Sequence, residues 1–461
     1  MRNPTRKYLS NQIARHKNVL DGATDIQLNN ILNSENNLKI IEQCREYRKR
    51  VFTPFVTLFT FVKQVLDPDK SCRKAISKVI AERLSDHEKA CSQNTGPYCK
   101  ARQKLPESMV KELVQELGKE TNSRTPSGWK WKGRNVKVVD GTTMFMPDTV
   151  ENQNIYPQLG SQKEGLGFPS ARLVVIFSLA IGSVIDYAIS ATRGKGTGEH
   201  TLLRQIFHSI NKGDVLLGDS YFPSYFLMAE LYAKGCDGVF QADPHRHYDF
   251  RKGNQLGEKE HIVAWKKPKR PEWMDDKTYK SYPETIKVRE CKVNGRIYVS
   301  TLLEPRKYHK QEIAQLYKLR WQAELNLKSI KSIMSMEMLS CKTPDMVRKE
   351  IGVHLLGYNI IRTIMAESGE AHGISPLQMS FKSTIQFINS FIPLFSYCPK
   401  EACMQMYRHV LGMISRTRVG NRPGRNEPKA LKRRPKNYPL LMKPRSFYQK
   451  ELSQSESYAL A

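Results

Sequence analysis

The chain has 461 residues and a strongly basic composition, with 74 lysine and arginine residues against 45 aspartate and glutamate residues and a formal net charge of +29. A positive excess of this size predicts a polyanionic partner and excludes a metabolic enzyme of ordinary charge. The longest apolar runs, residues 55–66 and 173–185, are shorter than the ~20 residues that a membrane-spanning helix needs, which argues against an integral membrane protein.

Residues 1–125 show the pattern of a helical domain. Thr53-Pro54, Ser71 and Pro106 each stand where a cap or first-turn residue begins a helix. The apolar residues after Ser71 are Ala75, Ile76, Val79, Ile80 and Leu84. We interpret this segment as a DNA-binding domain. A plain helical scaffold is the alternative, because no recognition helix can be singled out.

The next part of the chain predicts a sheet with two aspartates at strand ends. Four apolar, β-branched runs indicate strands, and one amphipathic segment between them indicates a helix. The strands are residues 136–139, 173–179, 184–189 and 215–218, and the helix is 201–210. Asp140 follows the first strand and Asp219 the fourth, and strand ends are where sheet proteins present chemistry. The element order is that of a ribonuclease-H-like (retroviral-integrase-like) α/β core.

A later segment predicts a helix with a polar face. On one continuous helix, about 100° per residue places Tyr317, Arg320, Glu324 and Lys331 within an arc of roughly 60°. The opposite side is apolar, so the helix would pack on the core. Its apolar residues are Leu316, Leu319, Ala323, Leu327, Ile330 and Met334. A solvated face of mixed charges is the alternative for a helix that stands alone.

Asp140, Asp219 and Glu324 together suit a pair of divalent metal ions roughly 3.5 to 4 Å apart. One ion would lower the pKa of an attacking water or 3′-hydroxyl, and the other would stabilise the leaving oxygen of a phosphodiester. Hard oxygen ligands favour Mg²⁺ or Mn²⁺ over zinc. A zinc site could also be drawn from Cys236, His245 and His247, but that spacing matches no common zinc template.

The spacing Tyr-x-x-Arg-x-x-x-Glu-x-x-x-x-x-x-Lys resembles the signature of DDE transposases of bacterial insertion sequences, in particular the insertion-sequence family numbered four. Further matches extend the resemblance over nearly the whole chain. They are Asp140-Gly141-Thr142, Gly218-Asp219, Ser71-Cys72, Tyr98-Cys99-x-Ala101-Arg102, Arg422-Pro423-Gly424-Arg425-x-Glu427-Pro428 and Lys432-Arg433-Arg434-Pro435-Lys436.

The resemblance implies metal-dependent cut-and-paste transposition, with Asp140, Asp219 and Glu324 as the catalytic metal ligands. It also implies double-stranded DNA partners, namely the terminal inverted repeats and the target DNA, and a homodimer in the synaptic complex. A DNA hairpin is the intermediate that relatives use. We expect a bacterial, cytoplasmic and nucleoid-associated protein without membrane contact. Nine cysteines with no Cys-x-x-Cys pair and no apolar secretory signal in residues 1–20 suit that compartment.

The remaining signature residues are implied to hold DNA. Tyr317, Arg320 and Lys331 would contact phosphates at the transposon end, and Trp321 matches an aromatic position that commonly follows the signature arginine. Ser220 is a departure, because a basic residue is often expected after the second aspartate. This change leaves metal binding intact but puts a local DNA contact in doubt.

The gap between Asp219 and Glu324 is too long for the sheet alone and predicts an inserted β-rich subdomain at residues 243–306. Asn294-Gly295 is a strong hairpin signal, and it joins predicted strands 285–293 and 296–303. Relatives carry such an insertion, in which an aromatic residue can stack on a flipped base. The candidates are Trp265 and Trp273. The alternative for each tryptophan is that it packs the subdomain.

The catalytic core is predicted to comprise residues 130–242 and 307–413, followed by a basic tail at 414–461. Within the core, Thr343-Pro344 begins a helix whose His354 we expect to be a packed core histidine. Residues 416–445 hold eleven lysines and arginines against Glu427 alone, which predicts an extended, DNA-binding segment or solvated disorder.

Two other functions share parts of this pattern. A structure-specific nuclease on the same fold would keep the carboxylates but would not need Tyr317, Arg320 and Lys331 at this spacing. A domesticated DNA-binding protein would keep the basic surface and could lose the chemistry. The presence of all three carboxylates favours the transposase.

Overall fold

The structure is a computed structural model that describes residues 35–42, 51–395, 400–420 and 441–454. Within these ranges, helices lie on both sides of one nine-stranded sheet. Of the predicted basic tail at 414–461, residues 421–440 and 455–461 lie outside the described residues. No helix of the described ranges is both long and apolar enough to cross a membrane.

Five α-helices of the described ranges precede the sheet, and the three that the sequence predicts begin at Thr53-Pro54, Ser71 and Pro106. The five are α1 (Glu35–Glu42), α2 (Pro54–Leu66), α3 (Cys72–Ser85), α4 (Gly96–Lys104) and α5 (Glu107–Ser123). The Thr53 hydroxyl accepts the Val56 N–H at 3.3 Å, and the Ser71 hydroxyl accepts the Lys74 N–H at 3.1 Å. These bonds satisfy amide groups that the first turn of a helix leaves free. Leu84, one of the apolar residues of α3, is exposed.

The sheet has the strand order of a ribonuclease-H-like α/β core at one end. Its strands are β1 (Val136–Phe145), β2 (Ser170–Ser178), β3 (Val184–Ala191), β4 (Val215–Gly218), β5 (Asp237–Gln241), β6 (Asn254–Gly257), β7 (Glu260–Lys266), β8 (Thr285–Val293) and β9 (Arg296–Ser300), in the order β3-β2-β1-β4-β5-β9-β8-β7-β6. β1, β4 and β5 are parallel, and β2 runs antiparallel to both β1 and β3. The predicted fold class is confirmed by this topology.

Alternating side chains of the central strands fill two apolar clusters on opposite faces of the sheet. Val138 and Leu217 belong to one cluster, and Val139 and Leu216 belong to the other. The connecting helices are α6 (Val150–Ile155), α7 (Glu199–Ile206), α8 (Tyr225–Ala233) and α9 (Asp276–Ser281). The helix predicted at residues 201–210 is α7, which begins two residues earlier, at Glu199, and ends four residues earlier, at Ile206.

The insertion continues the central sheet. β9 pairs antiparallel with β5, with Val239 opposite Ser300, and β8, β7 and β6 follow outward. Asn294 and Gly295, both at positive φ, form the turn of the predicted hairpin. Strand β9 ends at Ser300, three residues before the predicted end. The domain boundaries themselves stay a prediction.

The stretch predicted as one continuous helix is divided into three parts. These are α10 (Lys310–Lys318), α11 (Trp321–Lys328) and a π turn (Ser329–Ile333). At the first junction the amides of Leu319 and Arg320 bond three residues back, to Leu316 O at 3.0 Å and Tyr317 O at 2.9 Å. The tighter helical turn at this junction points the Leu319 side chain outward. Leu319 is therefore 46% exposed and is not part of the predicted apolar face.

A long buried helix supports the other elements. It is α12 (Pro344–His372), and α13 (Phe381–Phe395), α14 (Lys400–Arg416) and α15 (Arg445–Gln454) follow it. The Asn359 side chain joins α12 to two other elements, because its oxygen accepts the Val184 N–H at 2.7 Å and its nitrogen donates to Val114 O and Val184 O. His354 is buried as predicted, and burial lowers its pKa.

Helix α5 lies unusually close to strand β3. A Cβ atom on Gly118 would stand 2.1 Å from the backbone oxygen of Val184. No side-chain adjustment relieves such a contact, because the neighbouring atom belongs to the backbone. Glycine at this position therefore sets the distance between the N-terminal helices and the sheet.

Replacing Gly118 by alanine is expected to lower the free energy of unfolding by about 1–3 kcal/mol, because the new methyl group has to displace β3. In an open helix the same change would instead stabilise by up to about 1 kcal/mol. Gly128→Ala is the control, since no atom lies within 4 Å of its Cβ position. Urea unfolding of both variants measures the difference. An unchanged midpoint for Gly118→Ala would contradict the close packing.

Candidate active site

Asp140 and Asp219 occupy matching positions on neighbouring parallel strands. The last pair of the β1–β4 ladder is Val138 with Leu217, so each aspartate lies two residues beyond it. Asp140 is within β1, which runs on to Phe145 beside β2, and the prediction that the strand ends before Asp140 is wrong. By Asp140 the pairing of β1 with β4 has ended, but β1 itself continues.

Backbone amides orient both aspartates. The Gly141 N–H donates to Asp140 Oδ1 at 2.9 Å, and the Tyr221 N–H donates to Asp219 Oδ1 at 2.9 Å. Each carboxylate thus has one oxygen held by its own loop or strand. The second oxygen of each is free of these backbone contacts.

Glu324 reaches the same cleft from the opposite wall. It lies on α11, and a cavity of about 440 Å³ is lined by Asp140, Asp219, Glu324 and Arg320 together with Lys331. The wall is fixed to β1 by backbone hydrogen bonds beyond the π turn. These run from Phe145 N to Glu337 O at 2.9 Å and from Leu339 N to Phe145 O at 2.8 Å.

Arg320 is the counter-ion of this carboxylate cluster. Its Nη2 donates to Glu324 Oε1 at 2.5 Å, and its Nη1 lies 3.8 Å from Asp140 Oδ2. The side chains of Arg320 and Asp140 are 17% and 15% exposed, so water screens their attraction only in part. The guanidinium therefore offsets much of the repulsion between the carboxylates.

Burial raises the pKa of Asp140 to about 6. Repulsion from Asp219 and Glu324 acts in the same direction, whereas the Gly141 hydrogen bond and Arg320 act against it. In the absence of another cation, Asp140 is therefore protonated below about pH 6 and charged above it. Asp140 therefore responds to mild acid.

Tyr317 is buried, although the sequence predicts it on the polar face of a helix. Its residue surface is 6% exposed, and its ring packs against Tyr298 with centroids 5.3 Å apart. Burial raises the pKa of its hydroxyl to about 12, so this group stays protonated as a donor. The buried hydroxyl lies beside Arg320, which it can help to hold in place, and a phosphate contact by Tyr317 stays a prediction.

Lys331 and Trp321 are accessible from the cleft and its rim. Lys331 sits on the π turn, where its side chain is 25% exposed and its Nζ is 3.9 Å from Glu337 Oε1. Trp321 is 57% exposed. Lys331 lines the cleft and Trp321 is exposed on α11, and the DNA contacts of both stay a prediction.

The two tryptophans of the insertion differ sharply. Trp265 is 3% exposed, its Nε1 donates to the buried Glu290 at 2.8 Å, and Arg246 lies 3.6 Å from its ring centroid. The proposal that Trp265 stacks on a base is therefore wrong. Trp273 is 54% exposed, with Arg204 3.7 Å from its ring centroid, and remains a candidate.

Sequence reasoning missed Glu199, the first residue of α7. A Cβ atom on Gly141 would stand 2.5 Å from Glu199 Oε1, so the glutamate lies directly against the strand that bears Asp140. Burial raises the pKa of Glu199, and Asp219 adds to that rise. A glycine inside a strand often marks a place where another group comes close to the backbone. Gly141, next to Asp140, was therefore the signal in the sequence that could have revealed Glu199.

The donor set fits a hard divalent cation. Asp140, Asp219 and Glu324 offer carboxylate oxygens, which Mg²⁺ and Mn²⁺ prefer. Within the described ranges, no three His, Cys, Asp or Glu side chains stand close enough together to hold an ion. Arg320 lies between two of the three carboxylates, so it has to release Glu324 before all three can share a cation.

Comparison with known proteins gives consistent matches. The family described as the transposase DDE domain matches residues 131–360. The transposase InsG for insertion sequence element IS4 of Escherichia coli strain K12 is 24% identical over 359 residues, which cover 74% of this chain and 77% of that relative. The putative transposase InsL for insertion sequence element IS186A of the same strain is 29% identical over 83 residues, covering 18% and 22%.

Among solved structures, the piggyBac transposase synaptic complex with hairpin DNA matches with a TM-score of 0.40 and 11% identity. The match covers 85% of this chain and 83% of that chain.

Replacing Arg320 by glutamine is expected to raise the pKa of Asp140 above about 6, because the change removes the cation that opposes Asp219 and Glu324. Carboxyl ¹³C NMR of aspartate-labelled, metal-free protein measures the titration, and Asp140→Asn identifies the signal. Lys328→Gln is the control, since it removes an exposed charge from the same cavity. An unchanged titration in Arg320→Gln would mean that Arg320 is not the effective counter-ion.

Proposed function

The chain belongs to the DDE transposases of the IS4 family, and from that premise we propose that Asp140, Asp219 and Glu324 are the residues that carry its chemistry. The protein is an enzyme that cleaves and transfers DNA strands in the transposition of an insertion sequence, and its activity depends on a divalent metal. We propose Mg²⁺ or Mn²⁺ as that metal, with two ions in each site.

The observation that carries the assignment is the meeting of three carboxylates from distant parts of the chain. Asp140 and Asp219 follow the same rung of the β1–β4 ladder, and Glu324 faces them across one cavity. A purely structural cluster of like charges would be costly to bury. Its presence in an open cleft supports a role in binding cations and phosphates.

The reaction proposed for this cleft has two steps. In the first, water attacks the phosphodiester at the transposon end, the bond from phosphorus to the 3′-oxygen breaks, and the 3′-hydroxyl leaves. In the second, that 3′-hydroxyl attacks another phosphodiester, whose own bond from phosphorus to the 3′-oxygen breaks, and the oxygen released takes up the proton. Ions bound to Asp140, Asp219 and Glu324 would activate the attacking oxygen and stabilise the leaving oxygen.

The cations around the carboxylates position the DNA in these steps. Arg320, released from Glu324, would pair with a phosphate, since a guanidinium matches two phosphate oxygens. Lys331 would neutralise a neighbouring phosphate from the π turn. The protonated hydroxyl of Tyr317 would keep Arg320 in place from below.

The DNA partners proposed are the terminal inverted repeats of the element and the target DNA. The N-terminal helices, within residues 1–125, would recognise the repeats, and the basic tail at 414–461 would add phosphate contacts. Because two ends must react together, we propose a homodimer in the synaptic complex. We place this assembly on the nucleoid, in the bacterial cytoplasm.

A hairpin at the transposon end is the proposed excision intermediate. Trp273 is the aromatic residue of the insertion that could hold a base displaced by that hairpin. Its exposed ring is braced by Arg204 and by the edge of Phe226, whose centroid is 5.9 Å away. Stacking a base on such a ring contributes about 1–3 kcal/mol.

The function is tested with a duplex that carries the inverted repeats flanking the protein's own gene. With Mg²⁺ present, both strands are expected to show cleavage at the repeat boundary on a denaturing gel. Asp140→Ala, Asp219→Ala and Glu324→Ala should each abolish cleavage while repeat binding persists, because the changed side chains lie in the cleft. Undiminished cleavage by Glu324→Ala would refute the assignment, and a hairpin product would establish the excision pathway.

Lys331→Ala is expected to weaken binding of the repeats and to reduce the log-log salt slope by about 0.9, the value for one lost phosphate contact. Fluorescence anisotropy over a range of salt concentrations measures both effects. Lys307→Ala is the control, because Lys307 lies near the opposite end of the sheet. Equal losses in the two variants would show that Lys331 contributes only general charge.

A further inference from the structure

A glycine-rich basic loop borders the carboxylate cleft. Residues 192–198 read Thr-Arg-Gly-Lys-Gly-Thr-Gly and join the end of β3 to α7. The loop lies at the same end of the sheet as Asp140, because β3 runs antiparallel to β2, and β2 antiparallel to β1. Gly194 and Gly196 have φ of 114° and 76°, which lets the chain turn sharply. Arg193 and Lys195 are exposed, and the Arg193 guanidinium lies beside Gly160, with its Nε 3.4 Å from the Cβ position of that glycine.

Hydrogen bonds attach this loop to the site. Arg172 Nη1 donates to Thr197 O at 2.7 Å, and the Thr197 hydroxyl donates to Gly194 O at 2.8 Å. The first two residues of α7 continue the attachment. Glu199 lies against Gly141, and His200 Nε2 is 2.8 Å from Tyr221 O. Arg193 and Lys195 are therefore carried by a loop that is fixed relative to the carboxylates.

Tyr221 stands on the same rim and is exposed despite its size. Its residue surface is 58% exposed, although its N–H holds Asp219. The His200 ring lies 4.9 Å from the Tyr221 ring, and the Tyr221 hydroxyl lies 4.0 Å from the Cβ position of Gly198. The backbone and one edge of this tyrosine are thus fixed, while much of the ring faces solvent.

The carboxylates of the site favour a basic rim. Asp140, Asp219, Glu324 and Glu199 are all acidic and repel a phosphate backbone, and Arg320 and Lys331 in the same cleft offset that repulsion in part. Arg193 and Lys195 have no acidic partner in the part of the chain that the structure describes. Two free cations and an exposed aromatic ring are the combination that binds backbone and base at a DNA end.

We propose that Arg193, Lys195 and Tyr221 form a DNA-end contact on the rim of the cleft, with the two cations on phosphates and the Tyr221 ring on the base next to the reacting phosphodiester. This contact rests on the proposed function of the carboxylates, but it involves different side chains. It holds the DNA end after the bond beside it is broken, when a terminal base is open for stacking.

The phosphate part is tested with Arg193→Ala/Lys195→Ala in the full-length protein without metal. Anisotropy of a pre-cleaved end duplex is measured from low to high salt. Loss of two phosphate contacts should reduce the log-log slope by about 1.8, at about 0.9 each. Lys212→Ala/Lys307→Ala, which removes two exposed lysines at the opposite end of the sheet, should leave the slope nearer to that of the parent.

The stacking part is tested with 2-aminopurine at the terminal position of the same duplex. Tyr221 should quench its fluorescence on binding, Tyr221→Phe should quench it equally, and Tyr221→Ala should lose the quenching and bind at least about 5-fold more weakly. An end duplex and an uncut duplex are compared, because the proposal predicts quenching for the end.

The contact is refuted if the slope of Arg193→Ala/Lys195→Ala equals that of the control, or if Tyr221→Ala quenches as the parent does. These results are independent of the cleavage test, since no metal is present. Failure of Asp140→Ala to abolish cleavage would refute the proposed function instead. The two failures can therefore be told apart.

Discussion

The short parallel ladder between β1 and β4 is the constraint on which the site depends. Three residue pairs, from Val136–Val215 to Val138–Leu217, fix the register of the two strands. A shift by one residue would turn one aspartate to the other face of the sheet, because successive side chains alternate. Beyond this ladder, β1 continues along β2, whereas the chain turns away after β4 at Asp219. This divergence opens the cleft that Glu324 faces.

Buried polar side chains hold the helical wall of the cleft at its distance from the sheet. Asn359 satisfies both backbone groups of Val184 and the carbonyl of Val114, so α12, β3 and α5 meet at one residue. Lys70 Nζ donates to Met334 O, directly after the π turn, and lies 3.5 Å from Nε2 of His354 on α12. Unpaired, such buried groups would cost about 1–3 kcal/mol each. The N-terminal helices therefore support the catalytic wall as well as any DNA that they bind.

Much of this arrangement follows from local sequence, and the exceptions have physical reasons. Apolar alternation and capping residues predicted the strands and helix starts, because those signals act within a few residues. The π turn at 329–333 was not predictable, since residue spacing alone does not reveal an added residue in a helical turn. Trp265 was ambiguous because its burial depends on Glu290, 25 residues away.

The same limit applies to the site. The spacing of Arg320, Glu324 and Lys331 predicted a shared face, and one cavity does bring them together. The depth of Tyr317 depends on the ring of Tyr298, which comes from β9. Glu199 was missed because its partner is a glycine backbone, and a backbone contact leaves little trace in the sequence.

Continuity of the insertion with the sheet has a mechanical consequence. Because β9 pairs with β5, the insertion is joined to the catalytic strands by a row of backbone hydrogen bonds and cannot swing as a hinged lid would. Five strand spacings separate β4 from β6, a span of about 24 Å, or roughly seven base pairs of DNA. The sheet thus keeps the outer strands of the insertion at a constant distance from the strands that carry Asp140 and Asp219.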